Sequence, residues 1–203
     1  MMRASPPSPM AGTRTAPWAA WGSVVLASVL MLATLPGRTQ GLGLVTEPLL
    51  GDMGIDRLQY ASLNLWATLL GALCCFPAGW AMDRVGLRPV AAGCLVLLGL
   101  TVWGMSQLGG GVLALFALLV GTRAVGQSAL SVCSITTVGK WFPSGAGPAM
   151  GVFSVLLSVL FAIAFGVVGW AVREHGWRAA WAGIGWFLLA GVLPLTLIAL
   201  REP

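Results

Sequence analysis

Between Arg88 and Arg123 the chain carries no charged side chain at all. About 20 apolar residues cross the hydrocarbon core of a bilayer as a helix, so this run is too long for one crossing. Gly109-Gly110-Gly111 cuts it in two, which predicts a third span over about 90–108 and a fourth over 112–138. Residues 58–82 form another stretch free of charge. Hydrophobic residues make up 58% of the 203 positions and charged ones 8%, against about 25% charged in soluble domains. Such a chain has too little polar surface for a soluble fold. It reads as an all-α integral membrane protein embedded in a lipid bilayer.

The remaining spans follow in order. Residues 1–17 hold Arg3, Arg14 and four prolines without an acid, and read as a flexible cytoplasmic tail. A first, uncleaved span covers about 18–46, a second 58–82, a fifth 148–172 and a sixth 179–200, with 201–203 as a cytoplasmic end. Loop basic residues number six on one side (Arg3, Arg14, Arg84, Arg88, Lys140, Arg201) and three on the other (Arg57, Arg173, Arg178). The positive-inside rule then puts both termini in the cytoplasm of a multi-pass plasma (inner) membrane protein. Orientation accounts for the net charge of +5, and no nucleic-acid partner is expected. Cys74, Cys75, Cys94 and Cys133 lie in apolar runs without C-x-x-C spacing and read as packing residues. His175, the one histidine, falls in a loop. Neither a metal nor a cofactor is expected.

The densest cluster of charge and glycine is Gly79-Trp-Ala-Met-Asp83-Arg84-Val-Gly86-Leu-Arg88-Pro89, between the second and third spans. It reads as a helix end, a reversal at Gly86 and a new helix with proline in its first turn. The pattern G-x-x-x-D-R-x-G-x-R resembles the signature loop between helices 2 and 3 of the major facilitator superfamily of transporters. The resemblance implies six helices arranged as two inverted three-helix repeats, one half of a twelve-helix carrier, with the substrate site near the midplane. It also implies that Gly79, Asp83, Arg84, Gly86 and Arg88 serve a cytoplasmic gate. Gly139-Lys140-Trp141-Phe142-Pro143, continuing to Ala149 and Gly151, is similar to the W-F-P-x-x-x-x-x-A-x-G loop of anion porters in that superfamily. The oxalate/formate, monocarboxylate and nitrate/nitrite groups carry it.

Small residues recur every fourth position on two spans: Ala67, Gly71, Cys75 and Gly79 on the second, and Ser154, Ser158, Ala162 and Gly166 on the fifth. That spacing lets another helix approach closely. In the superfamily these two helices meet the other half, so the expected partner is a second six-helix half, on this chain or another.

Leu35-Pro36-Gly37-Arg38-Thr39-Gln40-Gly41 breaks the first span and puts polar groups at membrane depth. Irregular backbone is tolerated there only against protein or a wet cavity. Arg123 lies near the middle of the fourth span, where a charge costs about 2.5–3.5 kcal/mol on insertion scales. The superfamily places the first and fourth helices on the cavity, which makes Arg38, Gln40 and Arg123 candidates for binding a small anion through forked donors. The alternative for each arginine is structural, a guanidinium bonded to carbonyls exposed at a kink. No acid lies deep in a span. Two further alternatives stand beside a carrier half. One is a non-transporting half or remnant acting as an assembly partner. The other is a rhomboid-type intramembrane protease, for which Phe142-Pro143-Ser144-Gly145 lacks the first glycine of Gly-x-Ser-Gly and His175 lies outside the spans.

Overall fold

The computed structural model describes residues 17–143 and 146–200. The expected tail up to residue 16, the end at 201–203, and Ser144 and Gly145 of the aromatic loop lie outside them. Among the described residues every element is a helix and none is a strand.

Prolines and glycines set the breaks. α1 (Pro17–Ala33) stops ahead of Pro36, whose ring has no N–H to donate and would crowd the carbonyl of residue 32. A single 3-10 turn over Leu35–Gly37 follows, then the short α2 (Thr39–Gly43) and α3 (Thr46–Met53). α4 (Arg57–Ala72) opens at Asp56, whose carboxylate accepts the Gln59 N–H at 2.7 Å. The second span is not the continuous helix expected over 58–82. It is interrupted at Leu73 and Cys74 before α5 (Cys75–Val85), because Pro77 cannot donate to the Leu73 carbonyl. Phe76 donates to that oxygen instead, at 3.4 Å.

α6 (Leu87–Ser106) and α7 (Val112–Gly121) are separated by Gly110 and Gly111, both at positive φ. A nine-residue π-helix, Thr122–Leu130, joins α7 to α8 (Ser131–Trp141). α9 (Ala146–Trp186) continues through a second π-helical stretch, Phe187–Val192, into α10 (Leu193–Ala199). Gly176 divides α9 with non-helical angles, φ 81° and ψ 158°. Gly86, between α5 and α6, has nearly the same pair, φ 97° and ψ 163°. Each glycine precedes a buried apolar residue and an arginine: Leu87 and Arg88 in one turn, Trp177 and Arg178 in the other.

Four helical runs are long and apolar enough to cross a membrane: 57–85, which includes the interruption at Leu73 and Cys74, 87–106, 112–141 and 146–199. The last has 54 residues and contains the Gly176 break. Residues 18–33 form a shorter apolar helix. Large apolar side chains point outward from these runs, Phe76 at 79% and Leu113 at 80% exposure among them, as lipid-facing positions do.

α6 sits at the centre, packed on α9, α10, α7 and both π-helical stretches. Leu95, Leu98, Leu115, Leu119, Trp181 and Leu188 are all fully buried there. α6 and α9 cross at Gly99 and Gly185, where a Cβ on Gly185 would stand 3.1 Å from the Gly99 carbonyl oxygen. At the α9 turn, Arg178 forms a clasp. It reaches the Asp52 carboxylate at 3.2 Å, which also accepts from the Trp177 indole at 2.8 Å. It also donates to the carbonyls of Ser106, the last residue of α6, and Leu108, two residues beyond it.

The two small-residue stripes have different fates. Ser154, Ser158, Ala162 and Gly166 all face outward from α9. Ala67 and Gly71 do not meet an external partner, as the spacing on the second span had implied. Both are buried, and a Cβ on Gly71 would come within 2.7 Å of the Arg123 Cβ and 2.9 Å of the Ala124 nitrogen. The close approach is to the chain's own π-helix. Only Cys75 and Gly79, half-buried on α5, remain open to another helix.

Candidate functional site

The break in the first span lies directly across the π-helix. A Cβ on Gly37 would fall 2.3 Å from the Thr122 carbonyl oxygen and 3.0 Å from the Gln127 nitrogen, so only glycine permits this crossing. Gly126 meets it from the other side, with its Cβ position 3.4 Å from the Gly37 Cα. The irregular backbone is thus buried against protein, as membrane depth requires.

Arg123 closes this crossing. It is 2% exposed, and one terminal nitrogen donates to the Gly37 carbonyl at 3.2 Å, Thr39 Oγ1 at 3.0 Å and Gln127 Oε1 at 2.5 Å. The other terminal nitrogen donates to Asn64 Oδ1 on α4 at 2.9 Å. Its Nε and the nearby Tyr60 hydroxyl are buried without a hydrogen-bond partner. Four acceptors from three spans therefore surround this charge, and one is a carbonyl freed by the kink. One of these partners is the kind expected for a structural guanidinium, a carbonyl exposed at a kink.

Arg38 extends the other way. Its Nε donates to Thr34 Oγ1 at 2.7 Å, and a terminal nitrogen reaches Met31 Sδ at 2.7 Å and Ser131 Oγ at 3.4 Å. The guanidinium carbon lies 5.5 Å from the ring centroid of Phe161, which stacks on Phe165 at 5.5 Å. Arg38 is half-buried and keeps part of its surface open. Arg38, ahead of α2, reaches Ser131 of α8, and Arg123 of the π-helix reaches back to Gly37 and Thr39. Gln40 is exposed on α2 and bonds neither.

Neither arginine is paired with an acid among the described residues. Glu47 pairs with Arg57 at 2.6 Å, Asp52 with Arg178, and Asp56 caps α4. Asp83 stands at the end of α5 and Glu174 beside the Gly176 turn. Hydroxyl, amide and carbonyl dipoles alone offset the charge of Arg123. Arg38 has only two hydroxyls, a thioether and an aromatic face, and so retains capacity for an anion.

The candidate gating residues lie apart from this crossing, at the α5–α6 turn. Arg84 packs over the Trp80 ring at 4.4 Å. Asp83 and Arg88 are exposed and have no ion-pair partner among the described residues.

The arginine partners not named as candidates from sequence were Asn64, Thr39, Gln127 and Ser131. Each is a neutral polar group, three of them inside apolar spans, and that placement was the available signal. A sequence family described as Major Facilitator Superfamily matches residues 26–203. We found no curated protein that matches the chain.

Proposed function

The chain belongs to the major facilitator superfamily of secondary transporters, and we propose that it is the amino-terminal six-helix half of a carrier for a small anion. The substrate class is a monocarboxylate, a dicarboxylate or a nitrate-like ion, moved by alternating access. The observation that carries this reading is Arg38: a half-buried cation at the break of the first span, with no acid beside it among the described residues. An anion arriving there supplies the missing counter-charge in a poorly hydrated space. Ser131 would bound the anion and the Phe161 face would hold the guanidinium of Arg38, while Arg123 holds the crossing on which Arg38 is mounted.

Two inverted triplets are supported by the matching turns at Gly86 and Gly176, the second-to-third and fifth-to-sixth connections of a six-span chain. Both termini would be cytoplasmic, in the plasma membrane. The outward stripe of Ser154, Ser158, Ala162 and Gly166 favours a second six-helix half, and it equally favours a non-transporting half that serves in assembly. Asp83, exposed and without an ion-pair partner among the described residues, would meet that half at the cytoplasmic gate.

Binding separates these readings. Purified protein in lipid nanodiscs is titrated with acetate, oxalate and nitrate, reading thermal unfolding and calorimetry. Saturable binding of one anion, lost in Arg38→Gln, is the expected result. Wild-type protein that binds none of the three overturns the anion reading and leaves the assembly role.

A further inference from the structure

Away from the arginines, a groove of about 510 Å³ runs between the end of the first span and the two helices of α9. Leu35 and Pro36 line it on one side, Ala164 and Val168 on the second, Gly183 and Leu188 on the third. Its one polar lining side chain is His175, at the end beside the Gly176 turn. We infer that this groove holds one acyl chain of a membrane glycerophospholipid, with the headgroup phosphate against His175.

Depth, polarity and direction each support that occupant. From Ala171 to Leu160 the groove follows α9 for about 16 Å at 1.5 Å per residue, half of a hydrocarbon core of about 30 Å. One leaflet of chain fits that length. Polarity is confined to one end, as an amphiphile demands. There the Trp170 ring meets the His175 ring edge-on at 5.4 Å, and Trp170 is half exposed, an aromatic anchor of the kind found at headgroup level.

Ile163, Val167 and Phe187 on its rim are more than half exposed, so the groove opens sideways from the spans rather than along them. On α9, Ala164 and Val168 each lie two residues beyond Ala162 and Gly166, about 200° around the helix. The groove therefore looks away from the small-residue stripe. A helix seated on that stripe leaves it uncovered, and lipid is what surrounds a spanning helix there.

Gly183 supplies the test. Gly183 lines the groove and a Cβ at this position meets nothing within 4 Å, so the Gly183→Leu side chain starts into open space. Protein incubated in vesicles of 1-palmitoyl-2-oleoyl phosphatidylethanolamine and phosphatidylglycerol is extracted in mild detergent and weighed by native mass spectrometry. Wild type should carry one phospholipid. Gly183→Leu should lower its occupancy by about tenfold, as the loss of roughly two buried methylenes requires. His175→Ala should lower it less. Ala179→Leu, at the mouth, repeats the test should Gly183→Leu elute as aggregate. A wild type without an adduct, equal occupancy in the blocked variants, or loss of the adduct only when two chains associate would each overturn the assignment.

Discussion

The Arg123 guanidinium donates to the Gly37 carbonyl oxygen at 3.2 Å, so a charge from the π-helix closes the break that follows α1. Arg38, next in sequence to Gly37, is thereby fixed at one place along the π-helix. The anchoring charge and the open charge are different residues.

That division predicts opposite phenotypes. Arg123→Met removes the shared donor and leaves the buried Gly37 carbonyl unpaired, which costs about 1–3 kcal/mol. Its thermal unfolding in detergent should fall by several degrees. Arg38→Gln should unfold near the wild-type temperature and lose anion binding. Equal unfolding temperatures for the two variants would contradict the division.

Gly71 and Gly79 lie on one stripe but have different surroundings. Gly71→Ala drives a methyl into Arg123 and Ala124 and should cost about 1–3 kcal/mol through overpacking. Gly79→Ala meets nothing within 4 Å and should gain a few tenths of a kcal/mol to about 1 kcal/mol from helix propensity. Paired thermal unfolding curves check the sign of each.

Gly86 and Gly176 hold angles that only glycine adopts comfortably. Alanine at either should cost about 1–3 kcal/mol. The measurement is denaturant or thermal unfolding of each single variant and of the double. The losses should add, because the turns belong to separate helix pairs.

In proteoliposomes that hold the chain together with its second six-helix half, Asp83→Asn should slow transport while leaving anion affinity near wild type, since an exposed charge remote from Arg38 acts on the balance of carrier states. Weakened binding with an unchanged maximal rate would place Asp83 at the substrate instead.

Much of this was written in side-chain chemistry. The uncharged runs around Gly109–Gly111 require spanning helices, and Pro36 ends α1 because its ring cannot donate. Pro77 carried the same message for the second span, but its apolar neighbours made the stretch read as unbroken. The stripe at Ala67 and Gly71 shows that some helix comes close, since spacing encodes distance of approach. It does not encode whose helix, and the answer lay in the chain's own π-helix. That π-helix has no compositional mark. Without it, the crossing of Gly37 over Thr122, and so the partners of each arginine, was not readable from Arg38 and Arg123 alone.

Arg178 takes over the carbonyl of Ser106, the last residue of α6, which the helix end leaves without a partner of its own, and that of Leu108 two residues on. The connection through Gly109, Gly110 and Gly111 is therefore relieved of finishing the helix that precedes it. Extra sequence inserted at Gly110 lengthens a loop whose two ends are already fixed, at a closure cost that grows only logarithmically with length. An epitope or a fluorescent reporter belongs there rather than at the Gly86 or Gly176 turn, where the glycine itself makes the bend.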